Sequence, residues 1–305
     1  MPSRIGSTDP MGQSSITDDT SWVQRIGSFT LRTDKPLSSI WWAVDQSSLL
    51  KVYRGFDPAL RRAREANALI RAGHEGLAVP KVLSTGDRDA SSWTLLEAVP
   101  GEPLSNADLP TYIGHVEAVT AALQAFSFDL RPGDGWSGSA GRAVSNSDSL
   151  LQQLPAESRS RPWWTDLLKA LAPLDRDPAV YLHGDIKPEH LLEADRTAYV
   201  VDWEASARGP AHCDHTHAAF HIVRDLIYAG ALPHELPVEQ IGRLQVPGAL
   251  AAWRIVRWLA WRRPGDLDGL TRPMVAQLAS LTEAAEVISQ LALHVAHLRD
   301  IGIPR

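Results

Sequence analysis

The sequence predicts an α+β fold in which an antiparallel sheet with one helix precedes a larger, mostly helical part. Three observations carry this. Short β-rich segments crowd between Trp22 and Glu97. Beyond Gly101, apolar residues recur at helical spacing over long stretches. Two β-rich runs then return late in the chain, and each ends in reactive residues: Tyr181-Leu182 before His183-Gly184-Asp185, and Tyr199-Val200-Val201 before Asp202-Trp203-Glu204. Strands grouped ahead of helices are the pattern of α+β chains.

Composition bounds what such a chain does. Its 305 residues suffice for two lobes or one large domain, and 44% hydrophobic with 22% charged residues is ordinary for a globular protein. A net charge of −6 does not suggest a nucleic-acid partner. Cys213 is the single cysteine, so no disulfide forms within the chain, which suits a reducing compartment. No apolar leader and no run of about 18 apolar residues is present, so a soluble, cytoplasmic protein without a membrane partner is expected. Residues 1–20 are rich in Ser, Thr, Asp and Gly and are expected to be a disordered tail.

The first part, residues 21–97, reads as follows. Ser28–Arg32 and Ile40–Val44 are strands around a polar turn near Asp34-Lys35-Pro36, and Leu49–Tyr53 is the third. Lys51 interrupts that apolar strand, and burying a lone lysine is costly unless it is paired. Pro58–Ala72 is a helix, with Asp57 as N-cap, Pro58 in its first turn and Gly73 at its end. Leu60, Ala63, Ala66, Leu69 and Ile70 share one face. Glu65, the only acid of this helix, lies one step from that face and is the natural partner of Lys51; a solvated surface glutamate is the alternative. Val79–Leu83 and Ser92–Glu97 complete five strands. Residues 98–101 end in Pro100-Gly101, which marks either a lobe boundary or a plain turn.

The second part, residues 102–305, is read as helical. Leu109–Phe128 carries Ile113, Val116, Val119, Leu123 and Phe126 at helical spacing. Residues 129–146 form a long Gly-, Ser- and Arg-rich loop that either lines a site or is merely flexible. Ser147–Leu154 and Trp163–Leu171 are short helices. A hairpin at Glu193–Arg196 would then hold Asp185 and Asp202 at neighbouring strand ends. The helices Asp214–Ala229, Val238–Arg262 (interrupted by Pro247) and Thr271–Leu298 follow. His217 and His221, at i and i+4, could bind zinc or simply pack. Trp253, Trp258 and Trp261 read as aromatic packing or as one wall of a binding site.

Two carboxylates at neighbouring strand ends suit phosphoryl transfer: one accepts a proton from an attacking hydroxyl, the other holds Mg²⁺ on the phosphates. These residues resemble the aminoglycoside phosphotransferase and choline kinase-like family, relatives of protein kinases. The family pattern is His-Gly-Asp, four residues, Asn, and then Asp-Trp/Phe-Glu/Gly. His183, Gly184, Asp185, Asp202, Trp203 and Glu204 match it, while His190 stands where the family has its metal-binding Asn. The resemblance implies a bilobal protein kinase-like fold, with ATP and Mg²⁺ as cofactors. It gives Lys51, paired with Glu65, to the α/β-phosphates, and Glu97, Ala98 and Val99 to a hinge whose backbone binds adenine. It gives Asp185 the role of base, Lys187 that of neutralising the moving phosphoryl group, Asp202 that of metal ligand, and Asp214 that of a brace for the catalytic loop. Glu204 could help with the metal; His190 could share in it or donate to a phosphate. No G-x-G-x-x-G is present, so Gly27 and Ser28, or the Thr33–Ser39 turn, would cover the phosphates.

The acceptor divides the functional readings. From Ser206 onward the chain has ten Arg and no Lys against nine Asp and Glu. A polycationic aminoglycoside favours an acidic pocket, so the expectation is a small metabolite or antibiotic-type natural product instead. Asp185-Ile-Lys-Pro-Glu is also close to the protein Ser/Thr kinase catalytic loop. That opens an alternative acceptor, a ribosomal precursor peptide as in lanthipeptide or thioamitide biosynthesis, with a partner lyase. The departure at His190 keeps a nucleotide-binding pseudokinase as a second alternative.

Overall fold

The computed structural model describes residues 16–104, 108–126 and 145–305. Helix α1 (Ile16–Ile26) opens the described chain, so the expected tail of residues 1–20 is corrected at its end; residues 1–15 lie outside the described residues. Five antiparallel strands follow: β1 (Phe29–Lys35), β2 (Ser38–Ala43), β3 (Ser48–Tyr53), and, after helix α2 (Pro58–His74), β4 (Val82–Arg88) and β5 (Ser91–Glu97). Their order in the sheet is β1-β2-β3-β5-β4.

Strand periodicity decides which residues reach the site. In β3, Leu50 and Val52 face outward and are covered by Trp41 and by Trp22 and Val23 of α1. Leu49, Lys51 and Tyr53 take the opposite face, beside α2. The fourth strand begins at Val82 rather than Val79. Pro80 has no N–H for a ladder, and the carbonyl of Lys81 meets the Glu97 N–H at 2.9 Å just before regular pairing starts. Asp57 precedes α2 in a left-handed conformation (φ 42°) and makes no side-chain cap. The chain leaves that helix through Gly76 (φ 85°), not Gly73.

Past residues 98–101, the short strand β6 (Glu102–Pro103) leads to helices α3 (Leu109–Ala125), α4 (Asn146–Leu151) and α5 (Trp164–Leu171). Most of the expected loop over residues 129–146 falls on residues 127–144, outside the described residues. Strands β7 (Val180–Leu182), β8 (Leu191–Ala194), β9 (Thr197–Val200) and β10 (Ala207–Gly209) then carry the two carboxylate segments. β7 pairs with β10, while β8 pairs with both β6 and β9. The β8–β9 hairpin turns through Asp195 (φ 50°) and Arg196 (φ 63°), positive at both central positions as tight hairpins require.

Helices α6 (Cys213–Tyr228), α7 (Val238–Gly242), α8 (Gly248–Arg262), α9 (Leu267–Ala279) and α10 (Ala284–Asp300) complete the helical lobe. Pro247 separates α7 from α8, and the last expected helix is two, α9 and α10. One apolar core runs through this lobe and includes Tyr112, Trp163, Trp203, Phe220 and Trp253. Trp253 and Trp258 are buried in it, whereas Trp261 is 71% exposed. Among the described residues no helix is long and apolar enough to cross a membrane.

Candidate active site

Lys51 is buried, and three carboxylates surround its ammonium: Asp202 Oδ1 at 2.6 Å, Glu65 Oε2 at 2.8 Å and Glu204 Oε2 at 3.2 Å. Burial alone would lower its pKa, but Asp202 and then Glu65 overturn that and hold it well above the ordinary lysine value. The Tyr53 hydroxyl donates to Glu65 Oε2 at 2.5 Å, which keeps that buried carboxylate doubly paired. Arg61, one turn before Glu65 on α2, donates to Glu204 at 3.1 Å. Asp202 itself is left-handed (φ 64°), a conformation aspartate tolerates better than most residues. Glu65, Asp202 and Glu204 form a carboxylate group whose oxygens lie within 4.8 Å of one another. Hard oxygen donors at that spacing fit Mg²⁺ or Ca²⁺. The His217–His221 pair belongs to no such group among the described residues.

The Asp185 segment is fixed from behind. Asp214, at the start of α6, accepts the backbone N–H of His183 at 2.7 Å and of Gly184 at 2.8 Å. Gly184 needs φ 83°, which glycine adopts without strain. His183 is fully buried, donates from Nε2 to Val201 O at 3.0 Å, and meets Trp203 edge-on at 4.8 Å. Burial pushes its pKa down to about 4, so it is neutral. These contacts tie the Asp185 loop to the Asp202 segment.

Asp185 is partly buried, with Lys187 Nζ at 3.3 Å and His221 Nε2 at 3.7 Å from its carboxylate. At 3.7 Å the His221 contact is too long for a strong hydrogen bond. Burial would raise the Asp185 carboxyl; His221, His190 and Lys187 together hold it well below the usual carboxylate range. His190 bridges the two carboxylate segments. Its Nδ1 donates to the Asp185 carbonyl at 2.9 Å, and its Nε2 lies 3.1 Å from Asp202 Oδ2.

A cavity of about 360 Å³ opens between the sheet and this segment. Lys51, Glu65, Val99, His190 and Asp202 line it, together with apolar Trp42, Leu49, Leu69 and Leu96. Of the connecting segment, Val99 lines the cavity. The Ala98 N–H is committed to Ser47 O at 3.0 Å, and the Glu97 side chain turns to Lys81 at 3.4 Å. Thr33 and Lys35 reach the cavity from the first turn, while Gly27 and Ser28 lie at a different cleft, with Phe29 and Val44. Sequence reasoning did not single out Lys35, Arg61 or Arg254. Only Arg254, a cation between apolar residues of helix α8, carried a signal that could have found it.

The model of the phosphotransferase enzyme family, APH, matches residues 38–259. The structure is similar to a thermostable mutant of aminoglycoside phosphotransferase APH(4)-Ia in ternary complex with ADP and hygromycin B, at TM-score 0.59 and 14% identity, covering 87% of this chain and 98% of that one. It is similar to the amicoumacin kinase hAmiN in complex with AMP-PNP, Ca²⁺ and Ami, at TM-score 0.54 and 13% identity, covering 94% of each chain. It is also similar to a choline/ethanolamine kinase family protein from Mesorhizobium loti, at TM-score 0.52 and 16% identity, covering 92% of this chain and 100% of that one. No curated protein sequence matches.

Proposed function

The chain belongs to the phosphotransferase enzyme family and is an ATP-dependent phosphotransferase, and from that premise we propose that its acceptor is a hydroxyl of a small metabolite or antibiotic-type natural product that is not polycationic. The observation that carries the reading is the placement of Asp185. It stays ionised, touches Lys187, and is joined through His190 to the Lys51–Asp202 cluster.

In this reading adenine enters between Leu49, Leu69, Leu96 and Val99. The Val99 backbone is its partner, since the Ala98 N–H is already bonded. Lys51 and Lys35 meet the phosphates. Asp202 and Glu204, with Glu65 in reach, would hold a divalent ion such as Mg²⁺, which neutralises phosphate charge when bound. His190 keeps Asp202 oriented, in place of the family's Asn. Asp185 orients the acceptor hydroxyl and takes its proton as the oxygen bonds to the γ-phosphorus and the bond to ADP breaks. Lys187 offsets the charge of the group in flight. Positioning and electrostatics carry most of such a reaction.

Two structural relatives are described with antibiotics, hygromycin B in one and amicoumacin in the name of the other, which supports a natural-product acceptor. A precursor peptide, with a lyase removing the phosphate, is the second reading. It is favoured by Lys187 at the offset found in protein Ser/Thr kinases.

Calorimetry with AMP-PNP and Mg²⁺ tests the site on the wild type and on Asp202→Ala. Metal-dependent binding that disappears in the variant is the expected result. Binding that does not need Asp202 would overturn the assignment.

A further inference from the structure

Beside Asp185, helices α6 and α8 bring together His217, His221, Arg254 and Arg257. Arg254 on α8 is 6% exposed, yet among the described residues no carboxylate pairs with it. Its Nε donates to His217 Nδ1 at 3.0 Å, its NH2 lies 3.3 Å from His221 Nε2, and its guanidinium stacks 4.0 Å from the Phe220 ring. One imidazole, His221, separates it from the Asp185 carboxylate. Arg257, one turn further along α8, is partly exposed and makes no hydrogen bond or ion pair with any described residue; it lies 5.8 Å from the Trp253 ring.

Among the described residues the neighbouring acids are engaged elsewhere, Asp214 by the His183 and Gly184 N–H groups. Asp225 is already taken by Arg224 and Arg305. Cys213 keeps its proton, because burial pushes its thiol well up. Burial likewise pushes Arg254 down to about 9, and Asp185 is the one carboxylate whose field supports both Arg254 and Arg257. Arginine can only donate, so His217 Nδ1 must accept, and the proton of this neutral ring sits on Nε2. Among the described residues that buried Nε2–H has no acceptor, and the buried Tyr112 hydroxyl has no partner either. Buried donors without partners cost free energy until an acceptor arrives.

We propose that the hydroxyl acceptor of this enzyme carries an anionic group, a carboxylate or phosphate, which the guanidiniums of Arg254 and Arg257 bind beside Asp185. This rests on the phosphotransferase reading above and adds the charge class of the substrate. A planar guanidinium matches a planar carboxylate or a phosphate edge with two parallel hydrogen bonds. The same cations repel a polyamine. The anion would bring the charge that Arg254 and Arg257 lack, and it would hold the hydroxyl of the same molecule against Asp185.

The test uses succinate as probe, titrated by calorimetry into the full chain loaded with ADP, and again without ADP. The wild type is expected to bind succinate and not spermidine. Arg257→Gln, at a partly exposed position, should weaken succinate binding about tenfold or more. Arg254→Gln should weaken it as much if it folds, while Lys169→Gln, at an exposed position of α5, should leave it unchanged. Absence of succinate binding in the wild type, equal binding in Arg257→Gln, or an equal loss in Lys169→Gln would each overturn the proposal. Failure of ADP to bind would count against the nucleotide site instead, since the succinate titration without ADP still reads the arginine pair.

Discussion

Lys51 and Asp185 are both charges drawn out of bulk water, and their surroundings are opposite. Around Lys51 the protein gathers Glu65, Asp202 and Glu204, with Arg61 as the second cation. At the ammonium itself three carboxylates meet one lysine, and their oxygens lie within 4.8 Å of one another, a spacing that suits a divalent ion. Around Asp185 it gathers Lys187, neutral His221 and, one ring further, Arg254, with Arg257 in the same field. There the excess is positive. Buried ions are tolerated only when paired, so an imbalance of either sign indicates what the site is made to receive. One side suits a metal ion and its phosphates, the other an anionic acceptor. His190 touches both sides, through Asp202 and through the Asp185 backbone.

The largest expected effect separates the two sides. Asp185→Asn should lower the transfer rate by about 10³-fold, since a positioned base contributes on that order, while nucleotide affinity measured by calorimetry changes little. A matching fall in nucleotide affinity would mean that the two sides are one electrostatic unit. Lys51→Met should act on the fold as well as on activity. It leaves three carboxylates facing one another, and breaking a buried ion pair from one side costs about 3–5 kcal/mol. Urea denaturation should show that loss, and millimolar Mg²⁺ or Ca²⁺ should recover part of it, stabilising the variant more than the wild type. A variant as stable as the wild type without metal would show that the carboxylates relax into solvent.

Much of this contrast was legible in the sequence, for a definite reason. A lysine in the apolar run Leu49–Tyr53 demands a buried acid, and the one acid of the next helix, Glu65, is its partner at 2.8 Å. Asp185 and Asp202 announce themselves by ending β-rich runs. Arg254 obeys the same logic as Lys51, since it and Arg257 interrupt the apolar run Ala251–Ala260, but the tryptophans of that helix drew the reading toward packing. Lys35 was illegible because a polar turn residue shows its chemistry only once the hairpin folds over the cavity. Helix α1 was missed because its sequence is largely polar, with Trp22 and Val23 its buried apolar residues. The tie between Ala98 and Ser47 depends on how β3 and β5 are joined, which no local pattern encodes.

The smallest expected effect tests the brace that holds Asp185 in place. Asp214 is buried, and that burial pushes its carboxyl up to about 7 against two backbone N–H bonds that favour the anion. An aspartate in the unfolded chain titrates near about 3.9. Between those values the folded state holds more protons than the unfolded one, so Asp214 stabilises the fold fully below about pH 4 and loses that contribution as pH rises through about 7. Asp214→Asn removes the titration. Asparagine offers one acceptor oxygen where two N–H groups need acceptors, so the variant should be less stable by about 1–3 kcal/mol at low pH. The gap between wild type and variant should narrow from pH 4.5 to 7, because only the wild type bears the cost of ionising a buried acid. Thermal denaturation of both proteins across that range reads the gap directly. A gap that widens with pH would mean that the two N–H bonds outweigh burial and that Asp214 is an ordinary ionised carboxylate, which would make the Asp185 loop anchored by an anion as firmly as Lys51 is.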